Sequence, residues 1–399
     1  MYENIKKLSD YDFSNKKIIM RCDFNVPLDK DRNITSTKRI DAALPSIKKI
    51  LESGCTQLIL MSHLGKPKKF AKKGEEFKKK LSLDVVAKKL SELLDEDVVL
   101  VKDYIDNDLP KNKIILLENV RFYFDLEQSK EDGNREIMAK RLAEFGEIFV
   151  NDAFGTCHRK QASVYDIAKF LPSCIGYLVE KEIKELGKVI NPQKPFIAVL
   201  GGAKVEDKIL VIESLSEKAD KIIIVGAMDF AFKKANGIQI GESLCEGVDV
   251  AKKVLSSSYA NKIIIPSDVV VAKKDNNGNF SDIKTILGDI DDGYAGLDIG
   301  EETIANILNI CKDAKTIFWN GPAGLFEIEP FNKGTLAIAK GLAEMSSDRI
   351  VGGGDSVTAV EKAGLVDKFT HVSTGGGASL ELIQHGSLPA LDIQVNKNN

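Results

Sequence analysis

Basic side chains recur directly after the short apolar runs in the first part of the chain. The segments after four of these runs read RCDFNVP, SHLGKP, ENVRFY and NDAFGTCHR. Together with the start of the next helix they supply seven cationic or titratable groups: Arg21, Arg39, His63, Lys66, Arg121, His158 and Arg159. A guanidinium group binds phosphate or carboxylate through two parallel hydrogen bonds, and seven of the eight arginines precede residue 160 in this lysine-rich chain. The pattern predicts a pocket for a small anion.

Several of these residues also fit structural roles. Arg21 is suited either to a substrate anion or to a structural carboxylate partner. Asp23 and Asn25 either stabilise a turn or orient a substrate hydroxyl group. His63 and His158 are either anion ligands or hydrogen-bonded structural histidines. The Cys and His spacing fits no zinc site.

Glycine-rich turns follow the apolar runs in the second part of the chain. GGAKVEDKI follows residues 196–200, and GGGDSVT follows residues 349–351. Glycine lets the backbone approach a phosphate at the N-terminus of a helix. We expect Lys204 and Lys208, four residues apart, to share one face of the helix that follows the first turn. These turns predict a phosphate site.

Polar residues near these turns extend the predicted site. Asp355 suits either a Mg²⁺ ion held by phosphates or the N-cap of a helix. In NGPAGLFE, Asn320 is placed for a phosphate and Glu327 for ribose hydroxyl groups. STGGGAS, at 373–379, either contacts phosphate or only turns the chain into a helix. The sequence has no GxxxxGK[ST] and no GxGxxG after an early strand, which excludes a P-loop and disfavours a nicotinamide-dependent dehydrogenase.

Short β-branched runs alternate with amphipathic helical segments, which predicts an α/β fold. We expect two doubly wound, mainly parallel-sheet (Rossmann-like) domains joined by a connector helix and hinge. The predicted strands are 17–20, 58–61, 98–101, 114–117 and 148–150, then 196–200, 222–225, 263–265, 316–319, 349–351 and 371–373. The connector helix is predicted at 177–190, before the prolines of NPQKP. Ligands of such sheets bind beyond the carboxyl ends of the strands.

Length and composition agree with this organisation. A chain of 399 residues with 43% hydrophobic and 29% charged residues is expected to build two cores. The net charge of −3 provides no general attraction for nucleic acid or membrane. No leader or apolar run of spanning length occurs, so we expect a cytoplasmic protein, and six scattered cysteines predict reduced thiols. The lysine-rich stretch 66–80 is either a solvated loop or a nucleic-acid patch.

Ten segments, in this order, resemble phosphoglycerate kinase over nearly the whole chain. They are RCDFNVP, the Arg-Ile pair that begins at Arg39, SHLGKP, LLENVRFY, NDAFGTCHR, GGAKVEDKI, GLDIG, WNGPAGLFE, VGGGDSVTAVEKAG and HVSTGGGASLELI. The resemblance implies reversible phosphoryl transfer from 1,3-bisphosphoglycerate to ADP, giving 3-phosphoglycerate and ATP. It also implies Mg²⁺ as cofactor, direct in-line transfer on domain closure, and a monomer without nucleic-acid or membrane partners.

The resemblance assigns each motif to a domain and a ligand. It implies a substrate domain at 1–176, a connector at 177–194, a nucleotide domain at 195–386, and a C-terminal segment at 387–399 that returns to the first domain. The substrate-binding residues would be Asp23, Phe24, Asn25, Arg39, His63, Leu64, Gly65, Lys66, Arg121 and Arg159. The nucleotide-binding residues would be Gly202, Ala203, Lys204, Lys208, Gly226, Gly296, Asn320, Glu327, Gly353, Gly354, Asp355 and Ser356. Arg39, Lys204 and Gly354 would be catalytic, and Asp355 would bind the metal.

The sequence departs from the family pattern at a few positions. Lys66 stands where the family usually has arginine, Gln161 replaces a histidine, and Glu301 replaces a proline. The segment GAMDFAF differs from a more glycine-rich turn, with Ala231 in place of threonine. Two other functions are considered: a non-catalytic nucleotide-responsive binding protein, and a dehydrogenase that lacks the expected glycine fingerprint. Because the acceptor of a phosphoglycerate kinase is an ionised carboxylate, no general base is expected.

Overall fold

The computed structural model describes residues 2–67 and 76–398, so residues 68–75 of the lysine-rich stretch lie outside the described part. The chain forms two compact units. Unit 1 comprises residues 1–183 and 387–399, and unit 2 comprises residues 184–386. In the described residues, no helix combines the length and apolar character required to cross a membrane. All six cysteines are free.

Unit 1 contains one six-stranded parallel sheet with helices around it. Its strands are β1 (Lys17–Cys22), β2 (Gln57–Met61), β3 (Val98–Val101), β4 (Ile114–Leu117), β5 (Ile148–Asp152) and β6 (Ser173–Ile175). Its helices are α1 (Lys38–Glu52), α2 (Glu76–Lys80), α3 (Asp84–Leu94), α4 (Phe124–Glu127), α5 (Asp132–Ala143) and the final α14 (Pro389–Asn398). Helix α6 (Tyr177–Ile190) continues along the chain from unit 1 into unit 2.

The strand order in this sheet is β3-β4-β2-β1-β5-β6. Strands β2, β3 and β4 lie on one side of β1, and β5 and β6 lie on the other side. Arg21 at the end of β1 is level with Met61 of β2 and Asn151 of β5. The reversal between β1 and β5 is the point at which doubly wound sheets bind ligands.

Unit 2 repeats this architecture and adds a small antiparallel sheet. Its strands are β7 (Phe196–Leu200), β8 (Lys221–Ile224), β9 (Ile263–Ile264), β10 (Asp268–Lys274), β11 (Phe280–Leu287), β12 (Ala295–Ile299), β13 (Thr316–Asn320), β14 (Asp348–Gly352) and β15 (His371–Val372). Its helices are α7 (Ile209–Ser216), α8 (Asp229–Ala235), α9 (Val248–Leu255), α10 (Glu301–Cys311), α11 (Lys333–Ala343), α12 (Gly354–Lys362) and α13 (Gly377–His385). The parallel sheet has the order β15-β14-β13-β7-β8-β9, so its reversal lies between β7 and β13.

The core explains why the sequence forms these sheets. Successive residues of a strand point to opposite faces: Ile18 and Met20 pack into one buried cluster of unit 1, and Ile19 packs into another. Because both faces are covered, the strands read as continuous apolar runs rather than alternating ones. The predicted fold class, two doubly wound and mainly parallel sheets, is confirmed.

Two features of the sheets were not predicted from the sequence. Strand β6 has only three residues, and the antiparallel sheet β11-β10-β12 was not identified. Strand β11 is almost entirely exposed, so it has no apolar run. Its Asn277-Gly278 turn follows β10 and is the one local indication of a hairpin.

The N-terminus of α6 is anchored by side chains from other elements of unit 1. Oδ1 of Asp152, at the end of β5, accepts hydrogen bonds from the backbone N–H groups of Leu178 (2.9 Å) and Val179 (3.3 Å). Oγ of Ser46 accepts one from Tyr177 at 2.9 Å. Asp152 is fully buried, and burial raises its pKa to about 7 even though its hydrogen bonds favour the ionised form. The connector helix therefore begins on a desolvated carboxyl group.

This pKa predicts how Asp152 affects stability with pH. Since the folded state holds the proton more tightly than the unfolded chain, the contribution of Asp152 is greatest at low pH and is lost as the pH rises through about 7. We compare the unfolding free energy of Asp152→Asn with that of the native chain. The variant value minus the native value should increase by roughly 2 kcal/mol as the pH is raised from about 5 to about 8. Urea unfolding followed by circular dichroism measures this difference. Asp31→Asn, the same exchange at an exposed position, is the control, and a difference that is constant with pH would contradict the account.

Candidate functional site

The cationic residues of unit 1 lie at one edge of its sheet. Strands β4, β2, β1 and β5 are consecutive neighbours, and Arg121, His63, Asp23 and Arg159 follow them in that order. Because the strands are parallel, their carboxyl ends meet at the same edge. The fold thus brings together the four strand ends that the sequence analysis singled out.

Hydrogen bonds connect the loops at this edge. Arg39, from the first turn of α1, forms an ion pair with Asp23. Oδ1 of Asn25 accepts a hydrogen bond from the backbone N–H of Gly65 at 2.7 Å, and Arg121 Nη1 donates to the Gly65 carbonyl at 2.7 Å. Burial pushes the pKa of Asp23 upward, but Arg39 and Arg21 oppose it, and that pKa lies below its usual range. Asp23 therefore acts as the anionic partner of Arg39.

The tautomer of His63 follows from its contact with Arg21. Arg21 is fully buried, and its Nη2 lies 3.1 Å from Nδ1 of His63. Because a guanidinium group can only donate, Nδ1 must be the acceptor, and the ring proton is on Nε2. Burial holds the pKa of His63 well below its usual range; Asp23 opposes this shift, and Arg21 adds to it. His63 is therefore a neutral hydrogen-bond donor at Nε2.

A buried acid supports Arg21 indirectly. Arg21 Nε donates to Oγ of Ser163 at 3.0 Å, and Ser163 in turn donates to Glu127 at 2.6 Å. Burial raises the pKa of Glu127 to about 7, with Arg21 opposing the shift. These contacts support the structural role considered for Arg21, a carboxylate partner. The partner is Glu127, and Ser163 lies between the two side chains. The sequence analysis missed Glu127, which lies in the short helix α4 and belongs to no motif.

The remaining predicted substrate residues differ in exposure. Phe24 and Leu64 are buried, so their side chains pack beneath the loops. Lys66 is exposed and has no hydrogen-bond or ion-pair partner within residues 2–67 and 76–398. Arg159 is also exposed, and its Nε donates to Nε2 of His158 at 2.9 Å. Two exposed cations therefore lie at the rim of a buried cationic cluster.

Burial and mutual repulsion mark this cluster electrostatically. Burial, with added repulsion from Arg21 and Arg159, lowers the pKa of Arg121 to about 10. Burial also lowers the pKa of His158 to about 4, with Arg159 and Arg121 adding to the effect. Cations that depress each other's pKa gain most from a bound anion, as expected of an anion-binding site.

In unit 2, a cavity of about 290 Å³ lies beyond the reversal between β7 and β13. Its wall includes eight predicted nucleotide residues: Gly202, Ala203, Lys204, Lys208, Asn320, Gly353, Gly354 and Asp355. Gly376 and Gly377 also line it, which favours the phosphate-contact alternative for STGGGAS. The structure thus brings three glycine-rich turns to one cavity.

Glycine is required where the two central strands end. A Cβ atom on Gly201 would lie 2.1 Å from the Pro322 carbonyl oxygen, and one on Gly321 would lie 2.1 Å from the Gly201 carbonyl oxygen. The Gly201 N–H donates to the Asn320 carbonyl at 2.8 Å. The backbones are therefore in direct contact, which leaves the cavity beside them open.

Two helices begin at this cavity. Gly353 is the N-cap of α12, with φ of 90°, and Gly376 is the N-cap of α13. The first N–H groups of a helix have no partner within the helix and attract anions. Asp355 is exposed in the first turn of α12, so the interpretation of Asp355 as the N-cap is wrong. Ser356 is buried, and its Oγ donates to the Gly352 carbonyl at 2.6 Å.

The two predicted lysines line the cavity, but not from one helix. Helix α7 begins at Ile209, Lys208 is its N-cap, and Lys204 lies in the preceding loop. The prediction that they share a helix face is therefore wrong, because a turn closed by Lys208 N–H and the Val205 carbonyl (2.9 Å) precedes the helix. Burial lowers the pKa of Lys208 to about 8, and its Nζ donates to Oδ1 of Asn320. Lys204 forms a 2.5 Å ion pair with Glu246.

A second cleft of about 460 Å³ shares Gly202, Ala203, Pro322 and Asp355 with the first cavity. Gly226, Gly296 and Glu327, the remaining predicted residues apart from Ser356, line it. Its walls also include the apolar side chains of Phe230, Val269, Leu297 and Leu325. A polar, glycine-rich cavity next to an apolar cleft matches the phosphate and base ends of a nucleotide.

Metal ligands are sparse in this region. Among residues 2–67 and 76–398, no group of three or more His, Cys, Asp or Glu side chains could hold a metal ion. Asp355 offers one exposed carboxylate at the junction of the two cavities. This donor set fits a Mg²⁺ ion that is held mostly by phosphates.

The histidine environments give a direct spectroscopic prediction. We expect neither His63 nor His158 to titrate between about pH 5.5 and pH 8, because burial and nearby arginines keep both rings neutral. We also expect the His63 ring proton on Nε2. Nitrogen-15 NMR of the imidazole groups measures both, with His63→Gln and His158→Gln variants to assign the signals. A midpoint near the ordinary histidine value for either ring would contradict this description.

Comparison with known proteins places the chain in a family. The phosphoglycerate kinase family model matches residues 8–386. Phosphoglycerate kinases of Chlorobium phaeobacteroides and Limosilactobacillus reuteri are each 47% identical to this chain, over 97% and 96% of it and 98% and 97% of their own lengths. The solved structure of phosphoglycerate kinase from Coxiella burnetii is 37% identical, with a TM-score of 0.86 over 99% of this chain and 100% of that one. The chain belongs to the phosphoglycerate kinase family.

Proposed function

We propose that this chain catalyses reversible phosphoryl transfer from 1,3-bisphosphoglycerate to ADP, giving 3-phosphoglycerate and ATP. The observation that carries the proposal is the pair of sites just described. The cationic cluster of unit 1 suits a small phosphorylated carboxylate, and the glycine-rich cavity with its apolar cleft in unit 2 suits a nucleotide. Family membership supports this reaction.

The substrate residues have distinct proposed roles. Arg39, Arg121 and Arg159 bind the carboxylate and phosphate oxygens, Lys66 adds a point charge, and His63 donates from Nε2. Asp23 and Asn25 orient the substrate hydroxyl group, and Phe24, Leu64 and Gly65 supply backbone contacts. Substrate binding would separate Arg39 from Asp23, exchanging one anionic partner for another.

The proposed chemistry needs charge stabilisation rather than proton transfer. The acceptor carboxylate is ionised at neutral pH, so no base has to remove a proton. Lys204, Arg39 and the Gly354 N–H group would stabilise the charge on the transferring phosphoryl group. The two substrates bind to different units, so direct in-line transfer requires the reacting atoms to approach within roughly 3–3.5 Å, which we propose occurs on domain closure.

The nucleotide residues bind the other partner. Lys208, Asn320, Gly353 and Ser356 hold the phosphates or the turns beside them, Glu327 holds the ribose, and Gly226 and Gly296 border the base. Asp355 would hold Mg²⁺ together with the nucleotide phosphates, and the ion would supply positive charge that neutralises them. We further propose a cytoplasmic monomer without nucleic-acid or membrane partners, since the net charge is −3 and the cysteines are free.

A coupled assay tests the function. The purified chain, given 3-phosphoglycerate, Mg²⁺ and a nucleoside triphosphate, should form the acyl phosphate, which a reductive coupling enzyme detects. In the opposite direction, it should form nucleoside triphosphate from acyl phosphate. Nucleotide binding without turnover in either direction would favour the non-catalytic binding protein.

Lys204→Ala tests electrostatic catalysis. We expect at least a ~100-fold fall in turnover and a nucleotide affinity within several-fold of native, because charge aimed at the transferring group acts mainly in the transition state. Steady-state kinetics and equilibrium binding measure the two effects. Lys252→Ala, on the exposed side of α9, is the matched control. Equal losses of affinity and turnover would assign Lys204 to binding alone.

Lys66→Arg tests the departure from the family pattern. The substrate phosphate that Lys66 faces keeps nearly the same charge throughout the reaction, so a guanidinium fork strengthens ground state and transition state alike. We expect the Michaelis constant for 3-phosphoglycerate to fall a few-fold, roughly 1 kcal/mol, with turnover nearly unchanged. Lys30→Arg is the surface control. An unaltered Michaelis constant would remove Lys66 from the site.

A further inference from the structure

A buried ion pair includes one residue of the wall of the apolar cleft, Asp229. Asp229 and Lys233 are one turn apart on α8, and their side chains are 3% and 2% exposed. Lys233 Nζ lies 2.5 Å from Oδ2 of Asp229 and donates to the Pro266 carbonyl at 2.7 Å. The pair falls in GAMDFAF and the lysine that follows it.

Only one of the two oxygens of the Asp229 carboxylate has a hydrogen-bond partner in the described part of the chain. Oδ1 is buried and has no hydrogen-bond partner in the described part of the chain, whereas Oδ2 accepts from Lys233. Burial raises the pKa of Asp229 to about 6 against the effect of Lys233, so the group is ionised at about pH 8. A buried acceptor without a partner is costly, and a ligand that supplies a donor removes that cost.

Asp229 belongs to the wall of the cleft that suits the base of a nucleotide. Asp229 lines the cleft of about 460 Å³ together with Phe230, Val269 and Gly296. The cleft meets the phosphate cavity at Gly202 and Asp355, so a nucleotide whose phosphates were bound in that cavity would extend its base into the cleft. Among the residues that line the cleft, Asp229 and Asp298 are buried carboxylates, and both oxygens of Asp298 already accept backbone N–H groups.

We propose that Asp229 selects the base of the nucleotide and favours guanine over adenine. The inference rests on the function proposed above. The Watson–Crick edge of guanine presents two adjacent donors, N1–H and the N2 amino group, and one carboxylate oxygen can accept from both. Adenine presents one amino donor beside the N1 acceptor, which a carboxylate repels. Hypoxanthine keeps N1–H and lacks the amino group.

Lys233 determines which oxygen of Asp229 is available to the base. It requires an acceptor at the Oδ2 position, and this leaves Oδ1 as the atom available to the ligand. In Asp229→Asn, the amide oxygen would face Lys233 and the amide NH₂ would take the place of Oδ1. The atom presented to the base would change from an acceptor to a donor, which suits N1 of adenine. One isosteric exchange should therefore reverse the preference.

The test is equilibrium titration of the full chain with GDP, IDP and ADP at about pH 8. For the native chain we expect GDP to bind roughly tenfold more tightly than ADP, with IDP between them, because a hydrogen bond to a charged group is worth more than a neutral one. In Asp229→Asn, ADP should bind more tightly than GDP. Asp249→Asn, the same charge change on the exposed side of α9, should keep the native order.

A double variant covers the case in which Asp229→Asn does not fold with Lys233 unpaired. Asp229→Ala combined with Lys233→Met removes both buried charges and uses good helix formers. It should bind GDP and ADP within about twofold of each other. Three results would each overturn the assignment. The first is that the native chain binds ADP as tightly as GDP, and the second is that it binds IDP no more tightly than ADP. The third is that the double variant keeps the GDP preference of the native chain.

Failure of this inference differs from failure of the proposed function. If the chain converts 3-phosphoglycerate with ATP as efficiently as with GTP, the function stands and the role of Asp229 is wrong. If neither nucleotide supports phosphoryl transfer although the order GDP, IDP, ADP is observed in binding, the role of Asp229 stands and the proposed reaction is wrong.

Discussion

The parallel pairing of strands is the constraint on which both sites depend. When neighbouring strands run in the same direction, all their carboxyl ends and the loops that follow them gather at one edge. In unit 1 this aligns β4, β2, β1 and β5, and in unit 2 it aligns β14, β13, β7 and β8. Residues more than a hundred positions apart, such as Lys208 and Asn320, thereby become hydrogen-bond partners. The sheets are buried on both faces, so the edge is where polar chemistry can be placed.

The two sites are suited to anions in different ways. Unit 1 concentrates side-chain charge, and burial together with repulsion from neighbouring arginines depresses the pKa values of Arg121 and His63. Asp23 and the buried Glu127 partly offset this repulsion until a ligand arrives. Unit 2 relies on backbone N–H groups at two helix starts, with glycines where a Cβ atom would collide. Guanidinium groups suit a small anionic substrate. Exposed backbone N–H groups suit the phosphates of a nucleotide whose base must continue into an apolar cleft.

The sequence predicted most of the fold because the runs that form parallel strands are continuous and apolar. Strand β7 and helix α6 have the predicted bounds. The antiparallel strands around β11 were missed because an exposed strand carries no such run. Lys204 and Lys208 were wrongly placed on one helix because spacing alone does not show where a helix begins. Glu127 and Asp229 were missed because burial, which gives them their properties, depends on distant elements.

Ligand-dependent hydrogen exchange tests most directly the claim that each carboxyl edge binds one partner. We predict that 3-phosphoglycerate alone protects backbone amides in the loops after β1, β2 and β4, within residues 23–25, 62–66 and 119–122. A nucleotide alone should protect residues 201–204, 353–356 and 376–378, at the turns that line the phosphate cavity. Protection of the same loops by both ligands, or protection confined to surfaces away from these strand ends, would contradict the account.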